Sequence, residues 1–150
     1  MKIIIGADHR GYNLKKYLVS RKRIDTTAIS WVDVGAMSAE RSDYPIFAHK
    51  ACDALRAGKA DRAILLCGTG IGMALAANRY HGIRAGVAWN KIVARRAGRD
   101  DNVNVLVLPS DFLTSKRAEG IIAAWLSVEF KQGRYAQRLA LIDQRDKILR

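Results

Sequence analysis

Cysteine and proline are both scarce in this chain, at two residues each among 150. Cys52 and Cys67 alone cannot build a disulfide framework, which excludes the small stapled secreted folds and points to a reducing compartment. So little proline beside 49% apolar residues excludes a disordered or fibrous chain. Long apolar runs are missing too. Ile3-Ile4-Ile5, after Met1-Lys2, is too short for the core of an export signal, and no later run is long enough to span a membrane. The expectation is a cytoplasmic protein with no membrane partner. This length can bury one core without disulfides or metal, so a single domain over residues 1–150 with no metal site is expected.

Acidic residues are also short, with 14 Asp and Glu against 26 Lys and Arg, for a net charge of +12. Such a surplus suits a polyanion, or a small anionic substrate drawn in by the field. The charge is scattered, however, over Lys15-Lys16, Arg21-Lys22-Arg23, Arg95-Arg96 and the C-terminal segment. No zinc knuckle, RNP-type aromatic strand or other nucleic-acid module accompanies it. The expectation is a solvated basic surface with an anion pocket and no nucleic-acid partner.

What is present is an alternation of short apolar runs with helical patterns. Lys2 to Gly6, Ile29 to Val34, Ala63 to Leu66, Ile83 to Ala88 and Val103 to Leu108 read as strands. Leu14, Tyr17 and Leu18 share one helix face, with Lys15 and Lys16 turned outward. Asp43-Tyr44-Pro45 opens a helix whose apolar side is Phe47, Ala51, Ala54 and Leu55, since proline suits a first turn. Ala118, Ile121, Ile122, Trp125 and Leu126 repeat at helical spacing, and a last helix carries Tyr135, Leu139 and Ile142. Apolar rather than alternating strands imply a parallel sheet covered on both faces. The fold expected is α/β, one Rossmann-like three-layer domain with a parallel sheet of about five strands and a C-terminal helix. Ligands of such sheets sit at the carboxyl ends of strands, which singles out Asp8-His9, Gly35, Cys67 and the stretch from Asn104 to Ser110.

Cys67-Gly68-Thr69-Gly70-Ile71-Gly72 is the strongest local signal. A thiol at a strand end, before glycines that open a helix, lies where backbone N–H groups converge. That favours an anion, and thiolate over thiol. Two familiar glycine motifs do not fit. Met73 stands where the dinucleotide pattern needs its last glycine, and the Gly-Lys-Ser/Thr of a P-loop is absent. On spacing alone the segment is either an anion-binding loop with a reactive cysteine or a tight turn with an inert one. Asp8-His9 is either a helix cap with a surface histidine or a sugar- and phosphate-binding pair. Arg134 and Arg138, four apart, present two guanidinium groups on one helix face, suited to a phosphate or to solvent. Cys52, His49 and His81 read as packing or bystanders.

Taken together, Gly6-Ala7-Asp8-His9-Arg10-Gly11, Asp33-Val34-Gly35, Ser42-Asp43-Tyr44-Pro45, the Cys67 loop, Ala76-Ala77-Asn78-Arg79, Gly82-Ile83-Arg84-Ala85, Asn104-Val105-Leu106, Ala124-Trp125-Leu126 and Gly133-Arg134 resemble the ribose-5-phosphate isomerase B family, which includes the galactose-6-phosphate isomerase subunits. The likeness covers nearly the whole chain. It implies a homodimer or dimer of dimers with active sites between subunits, and cofactor-free interconversion of aldose and ketose phosphates through an enediolate, ribose 5-phosphate and ribulose 5-phosphate first among them. By the same likeness Cys67 is the base, Thr69 assists proton movement between oxygens, and the N–H groups of Gly68, Thr69, Gly70, Ile71 and Gly72 cradle the enediolate. Asp8 contacts a sugar hydroxyl, and His9, Arg134 and Arg138 contact phosphate.

Four positions depart from the family. Asp100 occupies the place of the ring-opening histidine, which puts it in the catalytic set, and Asp101 that of a substrate-contacting asparagine. Asp111 stands where an arginine is usual, and Tyr135 replaces a histidine. A carboxylate beside a phosphate needs a cation, for which Arg99, Lys91 and Arg95 are the candidates. Other readings are an isomerase of a tetrose 4-phosphate, which cannot close a furanose, a hexose 6-phosphate isomerase within a hetero-oligomer, and a sensor or RNA binder without catalysis.

Overall fold

β-branched and leucine side chains pack on both faces of a covered sheet, and that is where this chain puts them. In the computed structural model, which describes residues 1–144, strand β1 (Lys2–Ala7) is buried at every position after Lys2. Helix α1 (Tyr12–Val19) follows, then a small antiparallel hairpin of β2 (Arg23–Ile24) and β3 (Thr27–Ala28), and strand β4 (Ser30–Asp33). Helix α2 (Tyr44–Arg56) starts with proline in its first turn, as its sequence requires. Strand β5 (Arg62–Cys67) and helix α3 (Ile71–Ala77) flank the glycine-rich loop. Strand β6 (Ala85–Val87), helix α4 (Lys91–Asp101), strand β7 (Val105–Pro109), a 3-10 turn (Ser110–Phe112), helix α5 (Ser115–Leu126) and helix α6 (Arg134–Asp143) complete the described chain.

The main sheet has five strands in the order β4-β1-β5-β7-β6, every pair parallel. The expected α/β three-layer fold is therefore present. Ile3, Ile5, Ile64, Leu66, Leu106 and Leu108 face one helical layer, which contributes Leu18, Ala94, Ile122 and Trp125. Ile4, Leu65, Val105 and Val107 face the other, with Phe47, Ala51, Cys52 and Met73. The chain leaves β1 toward β4 and returns to the far side of β1 as β5. The carboxyl ends of β1 and β5 thus border the crevice where such sheets bind ligands.

Two local readings need correction. Lys15 is not turned outward: it is 2% exposed, and its Nζ lies 2.6 Å from both Asp33 carboxylate oxygens. A buried ammonium is tolerated because the bidentate partner offsets its lost hydration. In α2 the wholly buried positions are Ala48, Ala51 and Cys52 rather than Ala54 and Leu55, which lie at the edge of the core. Cys52 is packing, as expected, and burial pushes its thiol up to about 11.

Candidate active site

Strand β5 delivers Cys67 to the carboxyl edge of the sheet, where Gly70 takes a left-handed φ of 78° and turns the chain into α3. That conformation favours glycine, and the turn brings the amides of Thr69, Gly70 and Met73 toward the sulfur. The Gly70 N–H donates to Cys67 Sγ at 3.2 Å, and the Ile71 N–H donates to Thr69 Oγ1 at 3.3 Å. Burial pushes the Cys67 thiol up, while the amides of Met73, Gly70 and Thr69 pull it down; burial wins. The expected bias toward thiolate is thus opposed in the free chain by a floor only 5% exposed.

A cleft of about 290 Å³ opens above the sulfur, lined by Asp8, Arg10, Tyr44, Cys67, Gly68, Thr69, Gly72 and Asp111. Asp8 does not cap α1, whose N-cap is Gly11, but ties the turn before it and lines the cleft. One carboxylate oxygen accepts the Arg10 and Gly11 N–H groups at 2.9 and 3.1 Å. Gly72 lets Tyr44 lie against α3; a Cβ there would sit 2.6 Å from the Tyr44 ring. Gly68 likewise makes room for Arg10, whose Nε would be 2.5 Å from such a Cβ. Arg10 and Asp111 form a two-pronged ion pair, and the Asp111 N–H donates to the Gly68 carbonyl at 3.1 Å.

His9 stands beside the cleft rather than in its lining. Its N–H donates to Ser42 Oγ at 3.1 Å, and its Nδ1 lies 3.3 Å from the Ser42 amide. The Ile71 side chain is 61% exposed and lines a separate apolar groove with Ala74, Leu75 and Val87. Its N–H, like that of Gly70, is already engaged within the loop. The proposed cradle from Gly68 to Gly72 is therefore in part a device that holds the sulfur and Thr69.

Asp100, Asp101, Arg134 and Arg138 do not meet Cys67 within the chain. Helix α4 returns antiparallel to the strands and carries its C-terminus about 16 Å down the sheet, to the edge where strands begin. Asn104, expected at a strand's carboxyl end, instead precedes β7 at this edge and joins Arg84 to Gly82. At that edge Arg99 holds Asp100 side-on, Nε and Nη2 at 2.7 and 3.0 Å, and this guanidinium keeps the carboxyl below its ordinary range. Arg134 and Arg138 each lie against Tyr135, with guanidinium carbons 5.2 and 5.8 Å from its ring centre. Arg134 also donates to the Tyr135 hydroxyl at 3.3 Å and pulls its phenol down.

The cation beside Asp111 is thus Arg10, not Arg99, Lys91 or Arg95. Arg99 is taken by Asp100, and Lys91 and Arg95 line a cleft between α4 and α5. Sequence reading missed Arg10 and Tyr44 as cleft residues. The available signal was charge: an arginine inside the Asp-His-x-Gly turn and an aspartate just after the fifth strand of the sheet.

Fold and cleft define a parallel α/β protein with a cysteine at its switch point, next to donors that suit an anion. The chain belongs to the Ribose/Galactose Isomerase family, whose model matches residues 3–142. It is 36% identical to ribose-5-phosphate isomerase B of Escherichia coli over 141 residues, covering 94% of this chain and 93% of that one. It is also 36% identical to a D-erythrulose-4-phosphate isomerase of Pectobacterium atrosepticum, covering 95% and 93% of the two chains. The solved structure of ribose-5-phosphate isomerase B from Clostridium thermocellum superposes over the full length of both chains with a TM-score of 0.91 at 37% identity.

Proposed function

We propose that this protein interconverts ribose 5-phosphate and ribulose 5-phosphate, with Cys67 as the base. The observation that carries this reading is the buried Cys67 sulfur at the floor of a cleft, 3.2 Å from the Gly70 N–H. As thiolate, Cys67 takes the proton from the carbon beside the carbonyl. The freed C–H electron pair forms the enediolate double bond, and the carbonyl electrons move to oxygen. The same sulfur returns the proton to the neighbouring carbon, and Thr69 passes a proton between the two oxygens. Donors fixed around the loop favour the enediolate because they need no reorganisation as charge develops.

Substrate phosphate would be held by Arg134, Arg138 and His9, with Asp100 and Asp101 beside the sugar, once a second copy brings its α4 and α6 edge to the cleft. Support comes from Ile71, Leu75, Trp89 and Ile92, large apolar side chains exposed on α3 and around the start of α4. An apolar surface of that kind calls for a partner, and a homodimer or dimer of dimers supplies it. Among the described residues no helix is long and apolar enough to cross a membrane.

One observation favours a second substrate. Asp100 is bound by Arg99 and held below the ordinary carboxylate range, so it is ionised at neutral pH and donates poorly to a ring oxygen. An acyclic tetrose 4-phosphate needs no ring opening, and the likeness to a D-erythrulose-4-phosphate isomerase points the same way. Assaying the purified chain against four-, five- and six-carbon sugar phosphates tests both. Isomerisation of none of them rejects the reading.

A further inference from the structure

We infer that Arg10, aligned by Asp111, binds the substrate phosphate at the mouth of the Cys67 cleft. This rests on the isomerase reading and adds a phosphate ligand from the subunit that carries the base. Among the described residues Arg10 is the cation that lines the cleft. Cys67 lies at the floor, 5% exposed, whereas the Arg10 side chain is 57% exposed at the rim. A sugar phosphate with its reacting carbons at the sulfur must carry its dianion outward, toward that rim.

The guanidinium is held in place before any ligand arrives. Its Nε and Nη2 engage the two oxygens of Asp111, and Asp111 is fixed in turn by its N–H on the Gly68 carbonyl at 3.1 Å. At the other end of the residue, the Arg10 N–H donates to Asp8 Oδ1 at 2.9 Å. This side-on grip leaves both Nη1 hydrogens and one on Nη2 for a phosphate, and little rotamer freedom remains to be lost on binding. Asp111 cancels much of the charge at long range, so Arg10 acts through short, directional hydrogen bonds. A surface ion pair of this exposure adds little stability by itself, so loss of Arg10 belongs in binding and not in unfolding.

The test measures kcat, KM and competitive inhibition by inorganic phosphate for Arg10→Ala, Arg10→Lys and Asp111→Asn in the full chain, with Tm for each. Arg10→Ala should raise both KM and the phosphate inhibition constant about tenfold, with kcat within about threefold. Arg10→Lys should recover only part of this, Asp111→Asn should fall between, and Tm should hold. Unchanged KM and phosphate inhibition in Arg10→Ala overturn the inference. A lower kcat with both unchanged overturns it too, by moving Arg10 to the enediolate. If the unaltered chain isomerises nothing, the isomerase reading fails separately, and calorimetry with inorganic phosphate then decides. Arg10→Ala must still weaken that binding about tenfold, and equal binding by both proteins, or none by the unaltered chain, sinks the inference.

Discussion

The Gly70 N–H donates to Cys67 Sγ at 3.2 Å from a left-handed backbone that opens α3. A sulfur held this way, at the floor of a cleft, suits a base acting in the transition state. Cys67→Ala should lower kcat by about 10²–10⁴-fold while KM stays within a few-fold. Steady-state kinetics on the best substrate decides, and near-full turnover in Cys67→Ala would remove this residue from the mechanism.

Burial pushes the Cys67 thiol up, so its reactive form gathers at alkaline pH. The rate constant kcat/KM should climb with pH through neutrality and flatten only at or above the ordinary thiol value of about 8.5. Alkylation by iodoacetamide should follow the same curve. The sign for stability is opposite. A raised folded-state pKa adds stability below the thiol's ordinary value, lost as pH rises through the raised one. A rate profile already flat by about pH 7 contradicts the burial argument.

Asp100 is ionised in the grip of Arg99, and this should limit furanose substrates specifically. Asp100→His should raise activity on ribose 5-phosphate and leave an acyclic tetrose phosphate nearly unchanged. If the unaltered protein handles ribose 5-phosphate at least as efficiently as any acyclic substrate, Asp100 is no obstacle to ring opening.

Cys67 ends β5 while Arg134 begins α6 by the opposite edge of the sheet, so the proposed site takes Cys67 from one copy and Arg134 from the other. Cys67→Ala and Arg134→Ala should each be impaired alone. Mixed and refolded together, random pairing puts one intact site in half of the dimers, restoring about a quarter of full activity. Mixed dimers isolated by two affinity tags yet still inactive would place Arg134 outside the site.

Gly11 packs directly on β5: a Cβ there would lie 2.7 Å from both the Cβ and the carbonyl oxygen of Leu66. Backbone cannot yield as a flexible side-chain tip can. Gly11→Ala should therefore cost about 1–3 kcal/mol in urea unfolding. An unchanged midpoint would mean that the α1 turn shifts freely.

Much of the fold was legible because strand and helix signals are local. Ile3 to Ile5, Ile64 to Leu66 and Val105 to Leu108 are apolar runs that can only be covered strands in so short a chain, and Pro45 marks the start of α2. The hairpin of β2 and β3 escaped notice because two-residue strands carry no periodicity. The burial of Lys15 is not legible in sequence because a helical wheel shows which residues share a face but not which face finds a carboxylate.

Strand–helix order and the Cys67 turn follow from local residues, since side-chain period and glycine conformation depend on near neighbours. Tertiary structure alone decided which charges meet. Arg10 and Asp111 are 101 positions apart and come together because β1 and β7 flank β5 and all three strands end at one edge. The same parallel order sends α4 back down the sheet and leaves Asp100 at the other edge. Coulomb attraction between residues far apart in the chain acts only after strand order has set the distance, and no local pattern encodes that order.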